Sequence, residues 1–263
     1  MMRHAGLATV LATATLVYTA LVSEPDLARF DASELKGLLE SPRPALEVDL
    51  ALPDHRRQFA DLIVRYAKAE NARMTAAAVF ISPAIARQKA QRDESPIDPA
   101  LQVLVDYFNV PALESLDALE RTLVARVAPL PPELVAAQAA IESAWGKSRF
   151  ATEGFNLFGH QCYSSGCGIK PQGRTAASQI EVRRFDSIGD SVAAYYQNLN
   201  SHNAYRRLRQ IRYELLSQNQ SLEAHALLPG LSAYSEEGDA YLRSLRQLLR
   251  SEYVAAATGG NTP

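Results

Sequence analysis

The sequence is poor in several things that would place it in a familiar class. It has only two cysteines, Cys162 and Cys167, and its five histidines, His4, His55, His160, His202 and His225, are scattered. In a reducing compartment the cysteine pair would read as two free thiols or half a metal site, but no second Cys or His cluster accompanies it, so neither metal nor cofactor is expected. Charge of neither sign is in excess: 27 basic and 29 acidic residues give a formal net charge of -2, which implies no polycationic face for nucleic acid. There is no internal repeat. With 47% hydrophobic and 21% charged residues, the disordered and collagen-like classes are excluded, and 263 residues are enough for one substantial core.

The single long uncharged run is at the front. Met1-Met2-Arg3-His4 precedes Ala5 to Val22, 18 residues without a charge before Glu24, which reads as an export signal over 1–23. Tyr18-Thr19-Ala20 and Leu21-Val22-Ser23 are poor small-x-small cleavage sites, and 18 residues lie near the lower limit for spanning a bilayer. Cleavage and retention as an inner-membrane anchor therefore both stay open. Export turns the cysteine pair toward a disulfide closing the short loop around "YSSG", worth about 2 kcal/mol on the chain-entropy estimate.

Residues 24–54, punctuated by Pro42, Pro44 and Pro53, read as a linker. From His55 the apolar positions Phe59, Leu62, Ile63, Tyr66 and Ala67 follow the rhythm of an amphipathic helix, and a second stretch continues helical after a break near Pro83. Asp98-Pro99 supplies an N-cap and a proline at N1, and Leu116, Leu119, Leu123 and Val127 form a further stripe, so 55–128 reads as a helical region. Pro131 and Pro132 then open a helix with Leu134, Ala137, Gln138, Ile141 and Trp145 on one face and Gly146 as its stop. The segment from Asn156 to Gln179 is loop or short hairpin, with "QIEVRRF" as the one strand. Ser187 with Asp190 forms a capping box, opening a helix with Val192, Tyr195, Tyr196 and Leu199 inward. Helices over Arg206 to Ser217 and Glu236 to Tyr253 follow, the latter striped by Tyr241, Leu242, Leu245, Leu248 and Leu249, and 255–263 reads as a disordered tail. The class is mainly α, with at most a small hairpin.

One residue in the Pro131 helix does not fit a core stripe. Glu142 sits at the edge of the buried face and in the last turn, where the helix dipole disfavours a negative charge. Such an acid would hold its proton toward neutral pH and could protonate a glycosidic oxygen. The plain alternative is a Glu paired with Lys147 or Arg149.

The stretch "LVAAQAAIESAWGKSRFATEGFNLFG" resembles the signature of glycoside hydrolase family 73, the bacterial glucosaminidases acting on peptidoglycan, and most of all its Bax-like branch. The similarity covers about residues 52–250, and E-S-x-W-G-x-S followed by N-L-F-G is specific. The resemblance implies a lysozyme-like glucosaminidase domain over 129–254, with Glu142 as the catalytic acid at the end of a central helix. It further implies that Ser143, Trp145 and Gly146 position that acid, and that Asn156, Leu157, Phe158 and Gly159 line a sugar cleft. Phe158 reads equally as core. Tyr234 matches a late tyrosine facing the cleft, or else a core residue at a helix start.

The sequence departs from that family in the second carboxylate. The T-T-E-Y-like hairpin segment is absent, and Glu181 is the nearest acid on the expected strand, with Asp186 a weaker candidate. The resulting expectation is an exported, periplasmic, monomeric enzyme that cleaves β-1,4 bonds of peptidoglycan glycan strands. A lytic transglycosylase and a catalytically weak glycan-binding envelope scaffold are the alternatives.

Overall fold

A computed structural model of the chain describes residues 31–43, 54–91, 95–172 and 180–257. The export segment, most of the linker and the last residues of the tail lie outside them. The described residues are mainly helical and carry one three-stranded antiparallel sheet. They divide into two compact units, neither contiguous in sequence. One collects residues 31–41, Asn71–Pro129 and Gln197–Glu236; the other collects 42–70, Leu130–Tyr196 and 237–257. One boundary between them falls at Pro129/Leu130. Each unit, however, draws on both sides of it, because boundaries also fall inside two long helices, α2 (His55–Ala78) and α8 (Ile188–Ser201). Among the described residues no helix is long and apolar enough to cross a membrane.

The first unit begins with α1 (Ala32–Glu40), capped by Asp31, whose carboxylate accepts from the Ser33 N–H at 3.0 Å. This helix lies inside the stretch expected to be linker. Its Leu35 and Leu39 are completely buried, and their i, i+4 spacing is a short apolar stripe that the surrounding prolines obscure. Next come α3 (Ile81–Ala90), α4 (Pro99–Tyr107) and α5 (Leu116–Arg126). The break expected at Pro83 falls just before it, with Pro83 in the first turn of α3, where its missing N–H costs nothing. Asp98 caps α4 as expected, accepting from Ala100 N at 2.9 Å, and also pairs with Arg87 at 2.7 Å. The unit is completed by α9 (Arg206–Ser217), α10 (Ala224–Leu227) and a 3₁₀ turn at Leu228–Leu231. Gly230 is required there, since a Cβ would come within 2.3 Å of the Leu208 backbone.

In the second unit α6 (Pro132–Glu142) is buried on all sides from Leu134 to Ala140, not on one face. Its run of alanines lets α11 (Asp239–Leu249) and α12 (Glu252–Ala257) pack closely on it. The helix expected to run from Glu236 to Tyr253 is thus two, parted at Arg250 and Ser251. A short α7 (Arg149–Gly154) leads into β1 (Gln161–Cys162), β2 (Gly168–Ile169) and β3 (Glu181–Arg183), arranged β1-β3-β2. Ser187 and Asp190 open α8 as a capping box, with Asp190 N donating to Ser187 Oγ at 3.1 Å and Ser187 Oγ donating to Asp190 Oδ2 at 2.7 Å. Buried Arg43 and Glu70 form a two-pronged ion pair at 2.9 and 3.2 Å.

Candidate active site

The site is built around the end of α6. The helix stops at Glu142, earlier than the Gly146 expected from sequence, because Ser143 caps it from within. Ser143 is wholly buried; its hydroxyl donates to the Ala139 carbonyl at 2.6 Å and accepts the Gly146 N–H at 2.7 Å. Between them Ala144, Trp145 and Gly146 all take left-handed backbone, with φ of 51°, 60° and 77°. Two consecutive non-glycine residues in that region are strained, and such strain persists only where surroundings impose it. The surroundings here hold Trp145: its ring meets Phe59 edge-on at 6.0 Å and Tyr253 at 5.7 Å, Arg56 lies 5.3 Å over it, and His55 Nε2 bonds its carbonyl at 2.7 Å. Trp145 anchors the turn after the acid through these contacts.

Glu142 itself is half-buried. Loss of water around it raises its pKa, the charge of Glu237 adds to the rise, and a hydrogen bond from Tyr241 opposes it. That bond ends a directional chain across the buried side of α6. Tyr195 donates its hydroxyl proton to Gln138 Oε1, and Gln138 Nε2 donates to the Tyr241 oxygen at 2.7 Å. With its oxygen accepting from Gln138, Tyr241 turns its own proton toward Glu142. Tyr195 and Gln138 are fully buried, and Tyr241 nearly so. Sequence reading placed all three on apolar stripes and missed the chain. The available signal was Gln138, a polar residue inside a core stripe and one helical turn before Glu142 on the same face.

The loop residues are brought together, but by bonds to one another. The Asn156 amide donates to the carbonyls of His160 at 2.9 Å and Arg183 at 2.8 Å, and its oxygen accepts from Phe158 N and His160 N at 3.3 and 3.1 Å. Both its donors are thereby committed to backbone, not held out toward an acetamido group. Asn156→Ala should cost about 2 kcal/mol in urea unfolding, since buried backbone groups lose their partners together. Phe158 is core: it is 5% exposed and stacks on Tyr195 at 4.2 Å. Gly159 takes φ of 70° and supplies the turn.

Cys162 and Cys167 are joined in a disulfide with Cα atoms 6.2 Å apart. Glu181 lies opposite Cys162 in the β1/β3 register. Its carboxylate accepts the N–H of Gly168 at 2.8 Å and of Gly166 at 3.2 Å, and these two bonds hold its pKa below the ordinary value. The side chain is 2% exposed, yet the two N–H bonds outweigh the desolvation that burial brings. Glu181 is thus occupied in fastening the disulfide turn. Tyr234 belongs to the other compact unit, half-buried, with its ring 5.9 Å from that of Tyr205.

A mainly helical domain with a small antiparallel sheet and a half-buried acid ending its central helix is of the lysozyme-like kind. Residues 122–254 match the Glucosaminidase family model, described as mannosyl-glycoprotein endo-beta-N-acetylglucosaminidase. Protein bax of Escherichia coli (strain K12) is 39% identical over 120 residues, which are 46% of this chain and 42% of that protein. The match thus spans less than half the length of that relative. No solved structure matches the chain. The chain belongs to the glucosaminidase family, and its domain is of the glycosidase type.

Proposed function

We propose that the protein is an exported endo-β-N-acetylglucosaminidase that cleaves the β-1,4 bonds of peptidoglycan glycan strands, with Glu142 as general acid. One observation carries the reading: in a glucosaminidase domain, the acid at the end of α6 is half-buried, has a raised pKa and is met by a directed hydroxyl. A carboxyl group that keeps its proton toward neutral pH can hand it to the departing sugar oxygen. The enzyme acts in the periplasm as a monomer without a cofactor. Digestion of purified peptidoglycan tests this. Release of reducing-end N-acetylglucosamine supports it, anhydro-muropeptides would make the protein a lytic transglycosylase, and glycan binding without release would make it a scaffold.

The family pattern includes a second catalytic group, and the bonds of Glu181 bear on it. A carboxylate accepting two backbone N–H groups is ill suited to act as nucleophile or base, so we assign Glu181 to the turn. Glu237 is the acid whose charge reaches Glu142, and it is the one to replace first. Glu181→Gln should loosen the turn yet leave the anomer of the first product unchanged; Glu237→Gln should slow cleavage at least about tenfold. Both are read from product anomers by NMR together with initial rates.

Tyr241 is a positioning residue in this scheme. Tyr241→Phe removes the hydroxyl that favours ionised Glu142, so the acid's pKa rises and the alkaline limb of the pH–rate profile moves upward. The same change strands the Gln138 amide and should lower stability by about 1–3 kcal/mol. A fall in rate with an unmoved profile would reduce Tyr241 to packing.

A further inference from the structure

The first unit contains a cavity of about 500 Å³ between α5 and α9, closed on one side by the segment before α5. Four of its lining residues are arginines: Arg121 and Arg126 from α5, Arg206 and Arg209 from α9. No acidic residue lines it. None of the four arginines forms an ion pair among the described residues; the two acids that share a helix with Arg121, Asp117 and Glu120, face Lys89 at 2.8 and 3.9 Å, and Arg121 reaches Asp117 only as a weaker, longer-range charge.

The four are of two kinds. Arg126 and Arg209 are each 5% exposed and face backbone carbonyls: Arg126 donates to Phe108, Asn109 and Ser201, and Arg209 to Leu199 and His202. These carbonyls stand at the ends of α4 and α8, where unsatisfied C=O groups carry partial negative charge. Two buried guanidiniums with only partial charges around them leave the cavity positive. The repulsion is physical: burial, together with Arg126 and Arg206 beside it, lowers Arg209 to about 10, so it is still protonated at neutral pH. Arg121 and Arg206 stand exposed at the rim.

The rest of the lining narrows the ligand. Pro111, Leu113, Ala118 and Ala125 give an apolar wall, Asn203 brings a side-chain amide, and the Gln210 amide, whose nitrogen donates one N–H to Glu214 at 2.9 Å, brings its oxygen as an acceptor. An inorganic ion would use neither. We propose that this cavity binds a short acidic peptide, its carboxylates on the guanidinium forks, its backbone on the two amides and its aliphatic parts on the apolar wall. Acidic peptides of this kind hang from the glycan strands taken above as substrate, but the binding proposed here does not depend on Glu142 being the acid.

Calorimetric titration of the full chain at low ionic strength with a synthetic tripeptide of glutamate, alanine and glutamate tests it. Inorganic phosphate and the matching lysine tripeptide are the comparisons. Saturable binding of the glutamate peptide is expected, at least about tenfold tighter than phosphate and weakened by salt. Replacing both rim residues, Arg121→Ala with Arg206→Ala, should weaken it at least about tenfold. Neither of these side chains makes a hydrogen bond or ion pair among the described residues, so the double variant should fold, and thermal unfolding checks that. Thr122→Glu, which adds a carboxylate to the lining, should abolish binding by a second route. The proposal is overturned if the wild-type chain does not bind the glutamate peptide, if phosphate or the lysine peptide binds as tightly, or if both variants bind within about threefold of wild type.

Discussion

Glu142→Gln is expected to slow glycan cleavage by at least about a hundredfold, and to leave the protein no less stable at pH 7. The rate effect follows from the role: a positioned acid contributes about 10² to 10⁴, and an amide of the same shape cannot deliver a proton. The stability effect follows from the same environment. Loss of hydration and the charge of Glu237 raise the pKa of Glu142 in the folded state above its unfolded value. In the interval between those two values the folded protein binds the extra proton, so stability falls as pH rises through it, and the carboxylate works against the fold wherever it is ionised. Glutamine removes that charge and still accepts the Tyr241 proton. Active sites that trade stability for function behave in this way. Thermal melts and peptidoglycan digestion on the same preparation check both halves, and activity within a few-fold of wild type would remove Glu142 from the mechanism.

Much of each unit was legible in the sequence, for local reasons. Asp98-Pro99, the Ser187/Asp190 box and the α9 span Arg206–Ser217 depend on neighbours in the chain, and all three stand as read. Where apolar periodicity rules, as along Tyr241, Leu242, Leu245 and Leu249, the inward face is also as read. What failed to show was whatever depends on a distant partner. The helix α1 is too short to stand out beside its prolines and owes its place to burial of Leu35 and Leu39. Asn156 looked free to meet a sugar because the backbone groups it binds, His160 and Arg183, are brought to it by the sheet. Glu181 looked like a second catalytic acid because β3 could be placed but the turn at Gly166 and Gly168 could not. The chain Tyr195–Gln138–Tyr241 joins three segments far apart in sequence, and its members pass for core residues when each is read alone. Single-segment patterns thus marked Glu142 as a half-buried acid at a helix end, but not the groups bonded around it.

The other large effect is expected from His160, which the sequence showed only as one of five scattered histidines. Its backbone is clasped by Asn156, and its ring lies edge-on to Phe158 at 6.2 Å and to Phe185 at 5.7 Å. Neither ring nitrogen is exposed, and neither has a hydrogen-bond partner of good geometry among the described residues. Burial therefore drives the imidazole to its neutral form; the Ala194 carbonyl opposes this, Arg183 adds a smaller push in the same direction as burial, and the pKa is lowered from 6.5 to about 4. In the unfolded chain the ring titrates normally, so between about pH 6.5 and 4 the unfolded state binds the extra proton. Stability is full above that window and is lost as pH falls through it. A difference of 2.5 units at about 1.4 kcal/mol each makes the loss on the order of 3 kcal/mol. Asp98 and Glu181, both lowered, weaken the fold further as they are protonated in more acidic solution, whereas Glu142 has the opposite sign. Comparison with His160→Gln isolates the histidine. Urea midpoints measured from pH 7 to pH 4 should fall more steeply for the wild-type chain than for the variant, by about that amount. An NMR titration of the folded protein gives the direct check, and a His160 ring that protonates near pH 6.5 would refute the assignment.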